Sequence, residues 1–309
     1  MGYWIVFVFG FVQGSRWLSG YSYPFYHLPP FKRQCGPSEE RSLPTLLFPG
    51  CNDRCIGIDY FHWALERHSN SEVICIEYGH LLDSVFTSLE SLVNKACTLA
   101  SKHESILKDG FVAVGMSMGG LVARGLIQRC PIGEKASVLI AVGTPQAGVA
   151  KIPMESAGFF APVLQFLFEQ IVYHKTVQKF VSSTNFFKVP HNLAGYHRTN
   201  AFLATLNNES VIDPVAVARI ERLSALVCVA FKQEKFIDPP ESAHFGYYDS
   251  NPPHKVQSFF ETEQYRLNHL GLRTLWDSGR LIFLHAEGRH QNLAYIDSIE
   301  FAQLIYFLF

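Results

Sequence analysis

The sequence predicts an α/β protein built on a mostly parallel sheet. Six short apolar runs rich in strand-forming residues are bounded by turn residues, at 44–49, 73–78, 111–114, 138–142, 225–231 and 281–284. Helical patterns occupy 83–103 and 118–130, between successive runs. Strands that alternate with helices favour a parallel sheet covered on both faces. The ligand site of such a sheet is expected at the carboxyl ends of its strands.

Composition excludes several classes of function. The chain has 309 residues, of which 48% are hydrophobic and 17% charged, as in ordinary globular proteins. Its 26 Lys and Arg nearly balance 27 Asp and Glu, so the net charge of the whole chain gives no field to steer nucleic acid or an anionic membrane, and no nucleic-acid partner is expected. One domain at 40–309, with an insertion at about 150–200, is the simplest organisation.

The N-terminus predicts a secretory signal peptide. Residues 3–12 (YWIVFVFGFV) are continuously apolar but too short to span a bilayer. We place the signal at 1–14, with an outer limit at residue 20, and the alternative is a buried first strand. We expect no stable membrane span elsewhere.

Seven cysteines are compatible with a secretory compartment, where disulfides form. Their spacing matches no zinc-ligand pattern, so we expect neither a metal nor another cofactor. The sequon Asn208-Glu209-Ser210 predicts a glycan acceptor in a secreted chain.

The segment GMSMGG at 115–120 predicts a nucleophilic serine. The strand-like run FVAV precedes it and a helical pattern follows, which is the setting that a G-x-S-x-G turn needs. Such a turn is so sharp that the residues two positions before and after the serine must be small. Ser117 is therefore the candidate nucleophile, and the alternative is a small residue that fills a tight turn.

A serine hydroxyl needs a base, and the partners on such a sheet follow in the order Ser, acid, His. His290 lies in the loop after the last strand and is the predicted base. Asp238 follows the strand at 225–231 by a short loop and is the predicted acid, although an Asp before a Pro also starts turns. His244 lies in a polar loop segment, where solvation is the expectation.

Longer stretches resemble the palmitoyl-protein thioesterases, lipid-cleaving α/β-hydrolases of the lysosome. The resemblance covers roughly 44–309, and its middle part is the weakest. Its carriers are GMSMGGLVARGLIQRCP, VGTPQAGV at 142–149, YHRTNAFLATLNNE at 196–209, FIDPPESAHFGYYDSN at 236–251 and LGLRTLWDSGRLIFLHAEGRHQNL at 270–293. It implies an α/β-hydrolase fold with a helical apolar cap, and it assigns the acid and base to Asp238 and His290.

The resemblance also implies roles for residues outside the triad. Backbone amides of Cys51 and Met118 would form the oxyanion hole, and Cys97 would be bridged to Cys130. The apolar segment at 159–181 is either a helix buried on two sides or an acyl-binding cap. The candidates for the acyl groove are Phe159, Phe160, Val163, Leu164, Leu167 and Phe168.

The implied function is hydrolysis of thioester-linked long-chain acyl groups, such as palmitoyl, on the cysteines of S-acylated proteins or peptides. A lysosomal or secreted location follows from the resemblance and the predicted signal. One alternative is a lipase or carboxylesterase that cleaves oxyesters with the same triad. The other is a catalytically silent hydrolase fold that binds lipid.

Overall fold

A six-stranded parallel sheet forms the centre of the molecule, in a computed structural model that describes residues 42–69, 71–79, 82–152, 161–200, 202–252 and 254–290. Its strand order is β2-β1-β3-β4-β5-β8. The strands are β1 (Thr45–Phe48), β2 (Val73–Cys75), β3 (Phe111–Met116), β4 (Ala136–Val142), β5 (Ala225–Phe231) and β8 (Leu281–Ala286). A separate antiparallel ribbon pairs β6 (Tyr247–Tyr248) with β7 (Val256–Gln257). All six predicted strands are present, which confirms the predicted class.

The central strands are apolar along their whole length because both faces of the sheet are covered. In β3, β4 and β5, Val114 pairs with Ile140 and Ile140 pairs with Val227. Alternate residues enter two separate cores: Leu139 and Leu226 point to one, Ile140 and Val227 to the other. The predicted signal peptide lies outside the described residues.

Helices connect and cover the strands. They are α1 (Asp59–Ser69), α2 (Leu82–Val85), α3 (Leu89–Ser101), α4 (Met118–Arg129), α5 (Ala161–Ile171), α6 (Lys175–Phe180), α7 (Leu193–Thr199), α8 (Leu203–Leu206), α9 (Pro214–Glu221), α10 (Glu263–Arg266) and α11 (Leu272–Asp277). Short 3₁₀ turns lie at Cys55–Ile58, Pro131–Lys135, Ser182–Phe186, Pro190–Asn192, Pro240–His244 and Phe259–Glu261. The single helix predicted at 83–103 is wrong, because Ser88 is extended and its side chain accepts a hydrogen bond from Ser91 N, which starts α3 anew.

The region after β4 forms a layer of its own, in which α5, α6 and α7 follow one another. Its interior is a small apolar cluster composed of Val149, Phe168, Val172, Phe187, Val189 and Ile237. Since Ile237 belongs to the loop after β5, the cluster attaches this layer to the carboxyl edge of the sheet. The exact limits of the predicted insertion, about 150–200, stay a prediction.

Candidate active site

Ser117 lies in the turn between β3 and α4, in a strained backbone conformation. Its φ of 53° and ψ of −124° fall in a region that residues with a side chain rarely adopt. Two hydrogen bonds hold the turn: Ser117 N–H donates to Val142 O at 2.7 Å, and the Thr144 hydroxyl donates to Ser117 O at 2.9 Å. The strain is maintained by the neighbouring β4 and its loop, and it projects the serine away from the strand.

The glycines around Ser117 are needed because the backbone is crowded there. A Cβ on Gly115 would lie 2.4 Å from Gly120 Cα, and one on Gly119 would lie 2.3 Å from the carbonyl oxygens of Phe48 and Pro49. Both distances are far below van der Waals contact. The spacing of glycines that predicted the turn therefore has a direct steric cause.

His290 is in hydrogen-bond contact with Ser117. Its Nε2 lies 2.9 Å from Ser117 Oγ, although 173 residues separate the two in the chain. The ring of Phe236 stacks on the imidazole at 5.3 Å, and the ring of Phe231 meets it edge-on at 6.0 Å. A Cβ on Gly143 would lie 3.3 Å from His290 Cε1, so the loop after β4 also leaves room for the ring. The imidazole is thus held in one orientation.

The carboxylate on the other nitrogen of His290 belongs to Glu234, which the sequence analysis did not single out. Glu234 Oε2 lies 2.9 Å from His290 Nδ1. Glu234 Oε1 accepts backbone N–H bonds from Lys235 at 2.8 Å, Phe236 at 2.7 Å and Ile237 at 3.1 Å. The Glu234 side chain is only 2% exposed. Both oxygens are therefore occupied, and the carboxylate is fixed on the imidazole.

Asp238, the predicted acid, makes its contacts elsewhere, and the carboxylate that meets His290 is that of Glu234. One Asp238 oxygen accepts a hydrogen bond from Tyr248 Oη at 2.7 Å, and the other pairs with Lys151 Nζ at 3.3 Å. The physical reason is loop length. Glu234 lies three residues after the end of β5, where its carboxylate reaches His290 Nδ1, whereas Asp238 lies four residues farther along, beside Tyr248 and Lys151.

The surroundings of Glu234 favour its charged form. Burial is the largest single influence and acts to raise the pKa of Glu234. The hydrogen bond and charge of His290, together with the amides of Phe236 and Ile237, outweigh it, so the pKa lies below its usual value. Glu234 therefore remains an anion, able to stabilise a positive imidazole, at mildly acidic pH.

The two predicted oxyanion donors lie in segments that flank Ser117. Met118 is the first residue of α4, where a backbone N–H has no acceptor within the helix. Cys51 follows Gly50, where a Cβ would lie 3.5 Å from Ser117 Cβ. The loop after β1 thus passes beside the serine. The oxyanion role of both amides stays a prediction.

The loop that carries Cys51 is held by three contacts. Tyr78 donates its hydroxyl hydrogen bond to Pro49 O, and Asn52 N–H donates to Ser84 Oγ at 2.8 Å. A disulfide joins Cys55 to Cys75 in β2, a pairing that sequence spacing alone did not indicate. The second disulfide, Cys97–Cys130, is the pairing that the resemblance implied, and it connects α3 to the end of α4.

The predicted acyl-groove residues divide between two environments. Phe168 is buried in the apolar cluster beneath α5, and Leu164 is half-buried. Val163 and Leu167 are exposed on the other side of the same helix. Phe159 and Phe160 lie outside the described residues. The groove therefore stays a prediction, and of the four candidates that the structure describes Phe168 alone is fully buried.

Two other predicted residues have surroundings that differ from those expected. Asn208 is 2% exposed, and its side-chain nitrogen, the atom that a glycan would occupy, donates to His269 O at 2.8 Å. These contacts disfavour a glycan at Asn208, whose glycosylation stays a prediction. His244 is not solvated: its Nε2–H is shared between the carbonyl oxygens of Cys228 at 3.1 Å and Leu284 at 3.0 Å, which bridges β5 and β8.

Burial, and next the charge of nearby His285, lower the pKa of His244 to about 4. His244 is therefore neutral in the folded protein over most of the pH range. Within the described ranges, no cluster of three or more His, Cys, Asp or Glu side chains could hold a metal ion. No helix in that part of the chain is long and apolar enough to cross a bilayer.

Comparison with known proteins gives a consistent result. The family model described as palmitoyl protein thioesterase matches residues 44–290. Palmitoyl-protein thioesterase 1 of Caenorhabditis elegans is 30% identical over 71% of this chain and 71% of its own length. Palmitoyl-protein thioesterase 3 of Dictyostelium discoideum is 30% identical over 74% of this chain and 78% of its own length.

A more distant relative is the lysosomal thioesterase PPT2 homolog of Drosophila melanogaster, 28% identical over 57% of this chain and 60% of that protein. Among solved structures, lipase B of Aspergillus fumigatus covers 86% of this chain and 52% of its own, with a TM-score of 0.47 and 12% identity. The parallel sheet and the family match identify the fold as that of the α/β-hydrolases. The chain belongs to the palmitoyl protein thioesterase family and is a thioester hydrolase.

Proposed function

We propose that the protein releases long-chain fatty acyl groups, palmitoyl among them, from the cysteines of S-acylated proteins or peptides. Ser117 is the nucleophile, His290 the base and Glu234 the acid that orients it. The observation that carries the proposal is the continuous hydrogen-bond chain from Ser117 Oγ through His290 to Glu234, with both links at 2.9 Å.

The first half of the reaction forms an acyl-enzyme. His290 Nε2 takes the proton of Ser117 as the oxygen attacks the thioester carbonyl carbon. The negative charge that develops on the carbonyl oxygen is stabilised by the backbone amides of Met118 and Cys51. The carbon–sulfur bond then breaks, and the cysteine thiolate takes the proton from His290.

The second half repeats these steps with water. His290 removes a proton from water, the hydroxide attacks the acyl carbonyl, and the fatty acid leaves as the proton returns to Ser117. Glu234 stabilises the imidazolium in both halves and keeps Nδ1 protonated, so that Nε2 is the free acceptor. A thiolate is a better leaving group than an alkoxide, since a free cysteine thiol has a pKa of about 8.5.

The location that we propose is the lysosome, reached through the secretory pathway. A relative that carries the word lysosomal in its name supports this. Two disulfides agree with folding in an oxidising compartment. The lowered pKa of Glu234 suits an acidic compartment, because the carboxylate keeps its charge there.

A matched pair of substrates tests the reaction class. One is a peptide with palmitoyl on a cysteine, and the other carries the same acyl group on a serine at the same position. We expect kcat/KM for the thioester to exceed that for the oxyester by at least about tenfold. Faster cleavage of the oxyester would instead identify a lipase or carboxylesterase.

A further inference from the structure

The helix α5 has an exposed apolar stripe on the side opposite its packed side. Val163, Phe166, Leu167 and Ile171 follow at spacings of three, one and four, which places them on one face of a helix. Their exposed fractions lie between 48% and 60%. We name these four residues the α5 outer face.

The opposite side of the segment already anchors it to the protein. Phe168 and Val172 are buried, and the ring of Phe168 meets that of Phe187 edge-on at 4.7 Å. The fold therefore does not need the outer face for packing. Exposure of several large apolar side chains to water is unfavourable, and a partner that covers them removes this cost. Contiguous exposed apolar patches therefore mark binding surfaces.

The exposed charged side chains in the segment 161–181 are basic. Glu169 is the only acidic residue in the segment 161–181. It lies largely inside, where it accepts a hydrogen bond from Gln165 Nε2 at 2.7 Å and meets His191 Nε2 at 3.3 Å. Lys175 and Lys179 of the following helix α6 are exposed. An apolar stripe next to lysines is typical of helices that lie in a lipid–water interface.

The following helix α6 also carries an exposed aromatic side chain. Phe180 is 52% exposed, and Lys179 Nζ lies 5.5 Å from the centre of its ring. The pair combines an apolar side chain with a cation at the same surface. Aromatic rings and lysines prefer the headgroup level of a bilayer.

The outer face belongs to the layer that adjoins the active site. The cluster under α5 includes Ile237, whose neighbour Phe236 stacks on His290. The helix that carries the outer face and the loop that packs on His290 therefore share one apolar cluster. S-acylated substrates have their acyl chains in a bilayer, so docking there would bring the thioester within reach.

We propose that the α5 outer face docks the protein on an anionic lipid surface, with Lys175 and Lys179 at the headgroups. This proposal depends on the proposed function for its purpose, but its test does not require catalysis. A second copy of the chain is a poorer partner, because a twofold interface through this patch would bring like-charged lysines together.

The test is flotation of the full-length protein, carrying Ser117→Ala, with vesicles. The vesicles are phosphatidylcholine with or without one third phosphatidylserine. We expect binding to the anionic vesicles, and a partition coefficient reduced about tenfold to a hundredfold in the double variant Phe166→Ser, Ile171→Ser. The matched control is Val211→Ser, Ile212→Ser, which removes two exposed apolar side chains from a loop far along the chain.

Three binding results would overturn the proposal: no binding to either kind of vesicle, equal binding to both kinds, or an equal loss of binding in the control variant. A fourth is that the full-length protein binds no vesicle and instead forms a dimer that the α5 double variant does not form. A second assay uses protein that retains Ser117. In that protein, Phe166→Ser and Ile171→Ser should leave kcat/KM for a water-soluble short-chain thioester unchanged. A large loss there would assign the face to the acyl groove instead. If wild type cleaves no thioester yet binds vesicles, the proposed function fails while the docking surface stands.

Discussion

Replacement of Glu234 by Gln tests the assignment of the acid. The Gln side chain keeps the size of Glu but presents an NH₂ group. Its oxygen would keep the bonds from the amides of Lys235, Phe236 and Ile237, so its NH₂ would face His290 Nδ1. Nδ1 must then be an acceptor, which moves the imidazole proton to Nε2. In that tautomer His290 cannot take the proton of Ser117.

The size of the effect follows from the geometry. Two unit charges roughly 4 Å apart attract by about 4 kcal/mol at an effective dielectric constant of about 20. At about 1.4 kcal/mol per decade, the loss of the Glu234 charge from a site where it is 2% exposed lowers kcat by about a thousandfold.

The assay compares kcat on a palmitoyl-cysteine peptide for Glu234→Gln and Asp238→Asn. Asp238→Asn should retain kcat within about tenfold, since its partners are Tyr248 and Lys151 rather than the base. Thermal unfolding of both variants separates misfolding from loss of chemistry. A thousandfold loss in Asp238→Asn, with Glu234→Gln near wild type, would refute the reasoning.

Three further predictions concern the frame of the site. Gly119→Ala places a methyl group 2.3 Å from the carbonyl oxygen of Phe48, and we expect a loss of about 1–3 kcal/mol in the free energy of unfolding. Removal of the Cys55–Cys75 disulfide by serines should cost about 3 kcal/mol in urea unfolding, since 20 residues separate the cysteines. The pKa of His244 is about 4 in the folded protein and about 6.5 in the unfolded chain. The free energy of unfolding of wild type should therefore fall by up to about 3 kcal/mol as the pH drops from about 6.5 to about 4.

Each of these has a control. For Gly119, a variant as stable as wild type would show that α4 does not press on the loop after β1. For the disulfide, dithiothreitol should reproduce the loss in wild type, and identical urea curves before and after reduction would contradict the prediction. For His244, the unfolded state binds the proton first as pH falls, so His244→Gln should flatten the pH dependence of the free energy of unfolding. Equal slopes in wild type and variant would exclude His244 as the cause.

The strands and the nucleophile turn could be predicted because their causes are local. Buried parallel strands must be apolar on both faces, which makes runs such as ALVCVAF at 225–231 visible in the sequence. The turn at Ser117 needs small residues at fixed offsets. The position of His290 after β8 follows from the order of the strands.

The acid could not be predicted in the same way, because its choice depends on the path of a loop. Glu234 and Asp238 both follow β5, and Asp238 carries the stronger turn signal in the Asp-Pro dipeptide. The useful signal was the shorter distance from the strand end, since a carboxylate three residues past β5 can still reach over the sheet edge. Burial of Asn208 and of His244 also depends on distant segments, which no local pattern reports.

Capture of the acyl-enzyme tests the central claim most directly. The protein is mixed with a palmitoyl-cysteine peptide, quenched in acid within the first turnovers and digested for mass spectrometry. We predict a palmitoyl adduct on the fragment that carries Ser117, and neither adduct nor turnover above background in Ser117→Ala. Hydrolysis by Ser117→Ala at the wild-type rate, or a palmitoyl adduct on another residue, would contradict the account.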